Sequence, residues 1–242
     1  MKSTVHSLSL CAFLAALAAS GPSHAAILVS ENFDTDGLGT RYLAVGAGST
    51  ASAFWQLGAA ESTPLTGFQG ANFWGGRNLD TTFGGTNQLP RTLTVPITAV
   101  DVSLFTDLQV SILVAANQGQ WESEQPDFLR IVAVNADTDE RQVLEEFLPR
   151  PENVNNGDLT ATINSSTVLT TTFQPFTFNI SSVALPGLED LLIVIEAGST
   201  SSVEYFGVDE LVVSGTLIPE PATGSLLLLG ALGLAAARRR RR

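Results

Sequence analysis

The chain has 242 residues, 44% of them apolar, and a formal charge of −12. Lys2 and the arginines 238–242 sit at the two ends, and the rest of the chain holds six arginines against 24 acidic residues, about −18. So acidic a body excludes nucleic acid and anionic lipid as partners. The only cysteine, Cys11, and both histidines, His6 and His24, fall within the first 25 residues, so the region beyond them has no Cys, His or Lys. That excludes disulfides, a His/Cys-ligated zinc or haem, and Cys–His or Ser–His catalysis there.

At the N-terminus Lys2 precedes an apolar run over 8–19 that is too short to span a bilayer. Gly21-Pro22 breaks any helix, and Ser23-His24-Ala25 is small at both ends. This pattern reads as a secretory signal peptide over 1–25, cleaved after Ala25.

From 26 to 217 the apolar residues fall in short runs separated by Gly, Asn, Asp and Pro, as strands do. The expected strands cover 27–33, 52–57, 71–79, 92–97, 108–115, 128–134, 142–147, 176–180, 191–197 and 205–214. Alternation is clear in Leu108-Gln109-Val110-Ser111-Ile112-Leu113-Val114 and in Phe176-Thr177-Phe178-Asn179-Ile180. No body segment sustains a helical period, so the fold class is all-β, an antiparallel β-sandwich of the jelly-roll type. The Thr/Ser/Asn-rich stretch 158–172 reads as a loop or edge strand.

The C-terminus has three parts: Pro219-Glu220-Pro221, a Leu/Gly/Ala-rich stretch of about 16 residues, and five arginines. The apolar stretch reads as a single hydrophobic helix, marginal for a span, and the arginines hold its end on the cytoplasmic side. Pro219 and Pro221 keep the segment before it extended. The tail, 218–242, resembles the PEP-CTERM sorting signal. That resemblance implies recognition by an exosortase at the inner membrane and removal of the tail near Pro-Glu-Pro. It further implies transient anchoring, then residence at the cell surface or in an extracellular polysaccharide, biofilm or floc matrix. Membrane contact is expected only through this tail, before processing.

The body resembles jelly-roll modules of the MAM and carbohydrate-binding-module type in three places: Glu31-Asn32-Phe33-Asp34, Trp121 with Asp127-Phe128-Leu129-Arg130-Ile131, and the run Glu204–Gly215 with Asp209 inside it. It departs from MAM domains in lacking their cysteines. In such sandwiches the first and last strands are neighbours, which would bring Glu31 and Asp34 towards Asp209. Carboxylates converging beside backbone carbonyls suit Ca²⁺, and the resemblance implies a structural calcium there, with Glu31 and Asp209 the best-matching ligands. Solvated acids at strand ends are the alternative.

Trp74 and Trp121 lie beside Gly-rich polar residues and are candidate platforms for stacking sugar rings. Trp55 and Phe73 read as core, where aromatics bury the largest area. Paired carboxylates among Glu122, Glu124 and Asp127, or Glu145 and Glu146, leave a glycoside-active enzyme open, although neighbouring acids in so acidic a chain are usually a solvated face. The sequence points to a non-catalytic exported module that binds or organises polysaccharide. The competing reading is a purely structural matrix protein; burial of all three tryptophans would favour it.

Overall fold

The computed structural model describes residues 25–58, 63–81, 89–119, 121–123, 127–150 and 157–218. The signal peptide short of Ala25, the Pro219-Glu220-Pro221 segment, the C-terminal helix and Glu124 lie outside the described residues. Contacts divide the chain into a body, Ala26–Gly215, and a second unit made of Met1–Ala25 and Thr216–Arg242. Among the described residues no helix is long and apolar enough to cross a membrane.

In chain order the strands are β1 (Ala25–Glu31), β2 (Leu43–Val45), β3 (Gly48–Ser49), β4 (Phe54–Leu57), β5 (Trp74–Arg77), β6 (Arg91–Ile97), β7 (Phe105–Ala116), β8 (Phe128–Asn135), β9 (Arg141–Pro149), β10 (Leu159–Ala161), β11 (Gln174–Asn179), β12 (Leu191–Gly198) and β13 (Tyr205–Leu217). They form two sheets. One runs β11-β7-β13-β5-β4-β3, with β1 also pairing β13, and the other runs β10-β9-β8-β12-β6-β2. The expected adjacency of first and last strands is met. The strands pair antiparallel, as in β12 against β8, where Leu191 faces Asn135 and Gly198 faces Phe128.

Burial follows composition. In β6 every other residue is buried, from Arg91 to Ile97, the pattern of a strand with one face on the core. The central strands β8 and β12 are buried almost throughout. On their outer face Val132, Val134 and Val194 form a small cluster of their own, which is why these two segments read as unbroken apolar runs.

The main core lies between the sheets and holds Trp55, Trp74, Trp121, Phe147 and Phe206. Trp55 meets Trp74 edge-on at 5.4 Å and lies 5.7 Å from Phe206. Gly76 makes room for this packing, because a Cβ there would stand 2.4 Å from Phe206 Cζ. A second cluster, Phe54, Leu65, Phe73, Ala115 and Phe173, is separate from that core. There Gly207 lets the rings of Phe73 and Phe173 lie against β13; a Cβ on it would be 2.8 and 2.7 Å from them.

Arg91 is fully buried and ties loops together through backbone carbonyls, from Nε to Leu79 (3.1 Å) and from Nη2 to Thr81 (2.9 Å). The 158–172 stretch supplies the short edge strand β10, paired with β9.

Candidate functional site

Glu31 ends β1 and Asp209 lies within β13, so pairing of these strands sets both acids in one region. Glu31 is 2% exposed, and its charge is answered locally. Oε1 accepts the Phe33 N–H at 2.8 Å and Oε2 pairs with Arg41 Nε at 3.4 Å. Glu31, one of the expected metal ligands, thus already has a backbone N–H and a guanidinium as partners.

Asp34 and Asp209 instead converge on the segment 69–72. Asp34 accepts the N–H of Ala71 at 2.5 Å through Oδ1, and the side-chain amide of Asn32 at 3.0 Å through Oδ2. Asp209 is fully buried; its Oδ2 accepts the Gln69 N–H at 2.8 Å and its Oδ1 has no partner. Burial pushes the Asp209 carboxyl up to about 7, the Gln69 and Glu210 N–H groups pull it down, and the charges of Glu210 and Asp34 push it up. An orphaned, buried carboxylate oxygen costs about 1–3 kcal/mol, whereas both Asp34 oxygens already accept hydrogen bonds.

The tryptophans take a different place from the one their neighbours suggest. Trp74 is 1% exposed and Trp121 is 0% exposed. Neither presents a face to a sugar, and their assignment as ligand platforms is corrected: both are core. The Gly-rich residues beside Trp74 are not a polar rim; they form β5 itself, and Gly75 and Gly76 are buried with it. Trp121 is fastened by its indole N–H to the Asn117 carbonyl at 2.7 Å and by its backbone to Gly157.

The paired carboxylates separate into two groups. Glu145 is buried and collects backbone N–H groups from Ile163 (2.7 Å) and Asn164 (3.0 Å), while Glu146 pairs with Arg130. Both hold the sandwich together.

Glu122 and Asp127, however, meet Glu204, whose part the sequence did not reveal. One oxygen of each lies within 4.8 Å of the others. Asp127 is 2% and Glu204 0% exposed. Asp127 Oδ2 accepts the Glu122 N–H (3.0 Å) and Oδ1 accepts the Thr200 hydroxyl (3.1 Å). Glu204 Oε2 accepts the N–H groups of Thr200 and Ser201, both at 2.8 Å, and Oε1 is buried without a partner. Burial first, and then the Asp127 charge, push Glu204 up to about 8, and burial also raises Asp127. Burial thus raises both neighbouring acids.

A surface pocket of about 310 Å³ opens where β11 of one sheet faces β9 of the other. Glu145, Asn164, Ser165, Thr167, Gln174 and Phe176 are among the residues that line it. Gln174 Oε1 is buried and unpartnered.

A search of curated protein sequences finds no match. Among solved structures the chain is similar to the K1 cleaved adhesin domain of Lys-gingipain from Porphyromonas gingivalis W83 (15% identity, TM-score 0.43, covering 76% of this chain and 96% of that one). It is also similar to the xylan-binding module CBM15 (13%, TM-score 0.41, 83% and 100%). A third is the family 11 carbohydrate-binding module from Clostridium thermocellum, in complex with a β-1,3-1,4-mixed-linked tetrasaccharide (12%, TM-score 0.39, 82% and 100%). Overlaps at this level carry no inference about ligand or activity. The tail is matched directly: residues 217–242 fit the family model of the PEP-CTERM protein-sorting motif, which implies export and C-terminal anchoring. The chain is thus an all-β sandwich that carries a PEP-CTERM protein-sorting motif from the last residue of β13 onwards.

Proposed function

We propose that the chain is an exported, non-catalytic surface or matrix module, handed by its tail to an exosortase at the inner membrane and then displayed outside the cell. The observation that carries this is the sorting motif at 217–242, continuous in sequence with β13 of a body whose aromatic rings are packed inward. Burial of all three tryptophans supports a structural role over sugar stacking. A calcium ion at Asp34 and Asp209 would stabilise the body, supported by the orphaned Asp209 Oδ1.

Replacing Pro219, Glu220 and Pro221 together by alanine tests the sorting claim. The variant is expected to stay in the inner-membrane fraction with its tail intact by mass spectrometry, while wild type appears at the surface with a shortened C-terminus. Equal release of the two would sink the proposal.

The pocket at β11 supports a second reading, in which the body also binds extracellular polysaccharide. Its hydroxyl and amide lining beside a Phe176 ring suits a sugar, and at about 310 Å³ it reaches the lower end of ligand pockets. Under this reading Gln174→Ala lowers retardation of the full-length chain in glycan-containing native gels; unchanged mobility in every gel, wild type included, leaves the structural role alone.

A further inference from the structure

We propose that Glu122, Asp127 and Glu204 form a cation site of their own, for a hard divalent ion of the calcium type, distinct from the Asp34–Asp209 pair. The argument begins with where the three acids stand. Asp127 immediately precedes β8, a strand of one sheet, and Glu204 immediately precedes β13, a strand of the other. Glu122 follows Trp121, which is fixed to Gly157 through backbone hydrogen bonds. Two connections, β7–β8 with Glu122 and Asp127 and β12–β13 with Glu204, thus deliver three carboxylates to a common point, with oxygens within 4.8 Å of one another.

The second observation is the unspent oxygen. Glu204 is fully buried, its Oε2 is taken by the Thr200 and Ser201 amides, and its Oε1 has no donor. An oxygen of the Glu204 carboxyl lies within 4.8 Å of one of Asp127. Two carboxylates are both acceptors, so whatever joins them must be positive: a proton or a cation. One proton would answer one of three charges. Among the described residues the ion pairs are Arg41–Glu31, Arg130–Glu146 and Arg141–Glu196, and none reaches this cluster. Burying acids without such an answer is costly.

The donors are all oxygen, which selects calcium, magnesium or manganese over zinc and copper. They come from an irregular set of turns with the Thr200 hydroxyl beside them. That suits calcium's flexible six-to-eight coordination better than magnesium's strict octahedron. Such an ion would bind the β12–β13 connection to the start of β8 and so join the two sheets at one end. Extracellular modules of this chemistry bind calcium at about 10⁻⁴–10⁻³ M.

The test is calcium binding by equilibrium dialysis on the full-length chain in detergent, comparing wild type, Glu204→Gln and Asp209→Asn. In Glu204→Gln the new amide N–H can donate to Asp127 and stand where the ion would, so the variant is expected to fold, as circular dichroism will verify. It should bind one ion fewer than wild type, unfold at a higher temperature than wild type in EDTA, and lose the share of the calcium-induced midpoint rise that belongs to this site. A folded Glu204→Gln that binds as many ions as wild type overturns the proposal and leaves a shared proton as the link. Should that variant fail to fold, Glu122→Gln, altered at the half-buried member, is expected to weaken one site by at least about tenfold through loss of a charged ligand; unchanged affinity there also overturns it. Asp209→Asn reports separately on the other pair: if it binds as many ions as wild type, calcium at Asp34–Asp209 fails while the site at Glu204 stands.

Discussion

Trp55→Ala is expected to destabilise the protein by about 3–5 kcal/mol, the range for removing a large aromatic from a core. Trp55 is fully buried on β4, packed on Trp74 and Phe206, and its indole N–H donates to the Thr92 carbonyl on β6 at 3.3 Å. It therefore links the two sheets by a polar contact as well as by area. The phenylalanine variants separate these contributions. Trp74 is equally buried, but its indole N–H has no acceptor. Trp74→Phe removes an unsatisfied donor, which recovers about 1–3 kcal/mol against the volume lost, whereas Trp55→Phe gives up the hydrogen bond to the Thr92 carbonyl. In guanidinium unfolding Trp55→Phe should be the more destabilised of the two by about 1–3 kcal/mol. The reverse order would mean that Trp74 finds a partner.

The second large effect is a fall in stability with rising pH when no divalent cation is present. Glu204 is raised from 4.5 to about 8 and Asp209 from 3.8 to about 7, in both cases first by burial. Below about pH 3 both groups are protonated whether the chain is folded or not, and they contribute no pH dependence. Above that the unfolded chain releases its protons while the folded one keeps them, so folding costs more with each unit until the folded pKa is passed. Each group contributes about 1.4 kcal/mol per pH unit over its own window, and the two windows overlap between about pH 5 and pH 7. Urea midpoints of the full-length chain in EDTA should therefore drop steadily from pH 5 to pH 7, more gently up to pH 8, and then level. Calcium, by replacing the protons, should flatten the profile. A midpoint that rises over that interval would show that these carboxyls are ionised in the folded protein without cost.

The ten strands expected from periodicity all occur, because a half-buried strand must alternate and a doubly covered one must be continuously apolar. The misses are the short strands Leu43–Val45 and Gly48–Ser49, three and two residues long. Pairing with a longer neighbour defines them, and no pattern fits in so few positions. The acids were harder. Asp209 stood out because it interrupts an apolar strand. Glu204 did not, because an acid just before a strand is common here (Asp190 before Leu191, for example), and only the fold brings it to Asp127. Trp74 misled for a related reason: the glycines after it look like a loop until the sheet shows them as part of the buried strand β5.

β13 is the strand that leads into the tail. It is 13 residues long, lies between β7 and β5 in its sheet, pairs β1 as well, and ends at Leu217, where the sorting motif begins. A chain held by its C-terminus and tugged from outside takes the pull along this strand. The force then shears many inter-strand hydrogen bonds at once instead of peeling them open one by one. Forced unfolding is set by the unfolding rate, and shear across a long, doubly flanked strand keeps that rate low. Tethering at the end of β13 therefore loads the body in shear along a strand flanked on both sides.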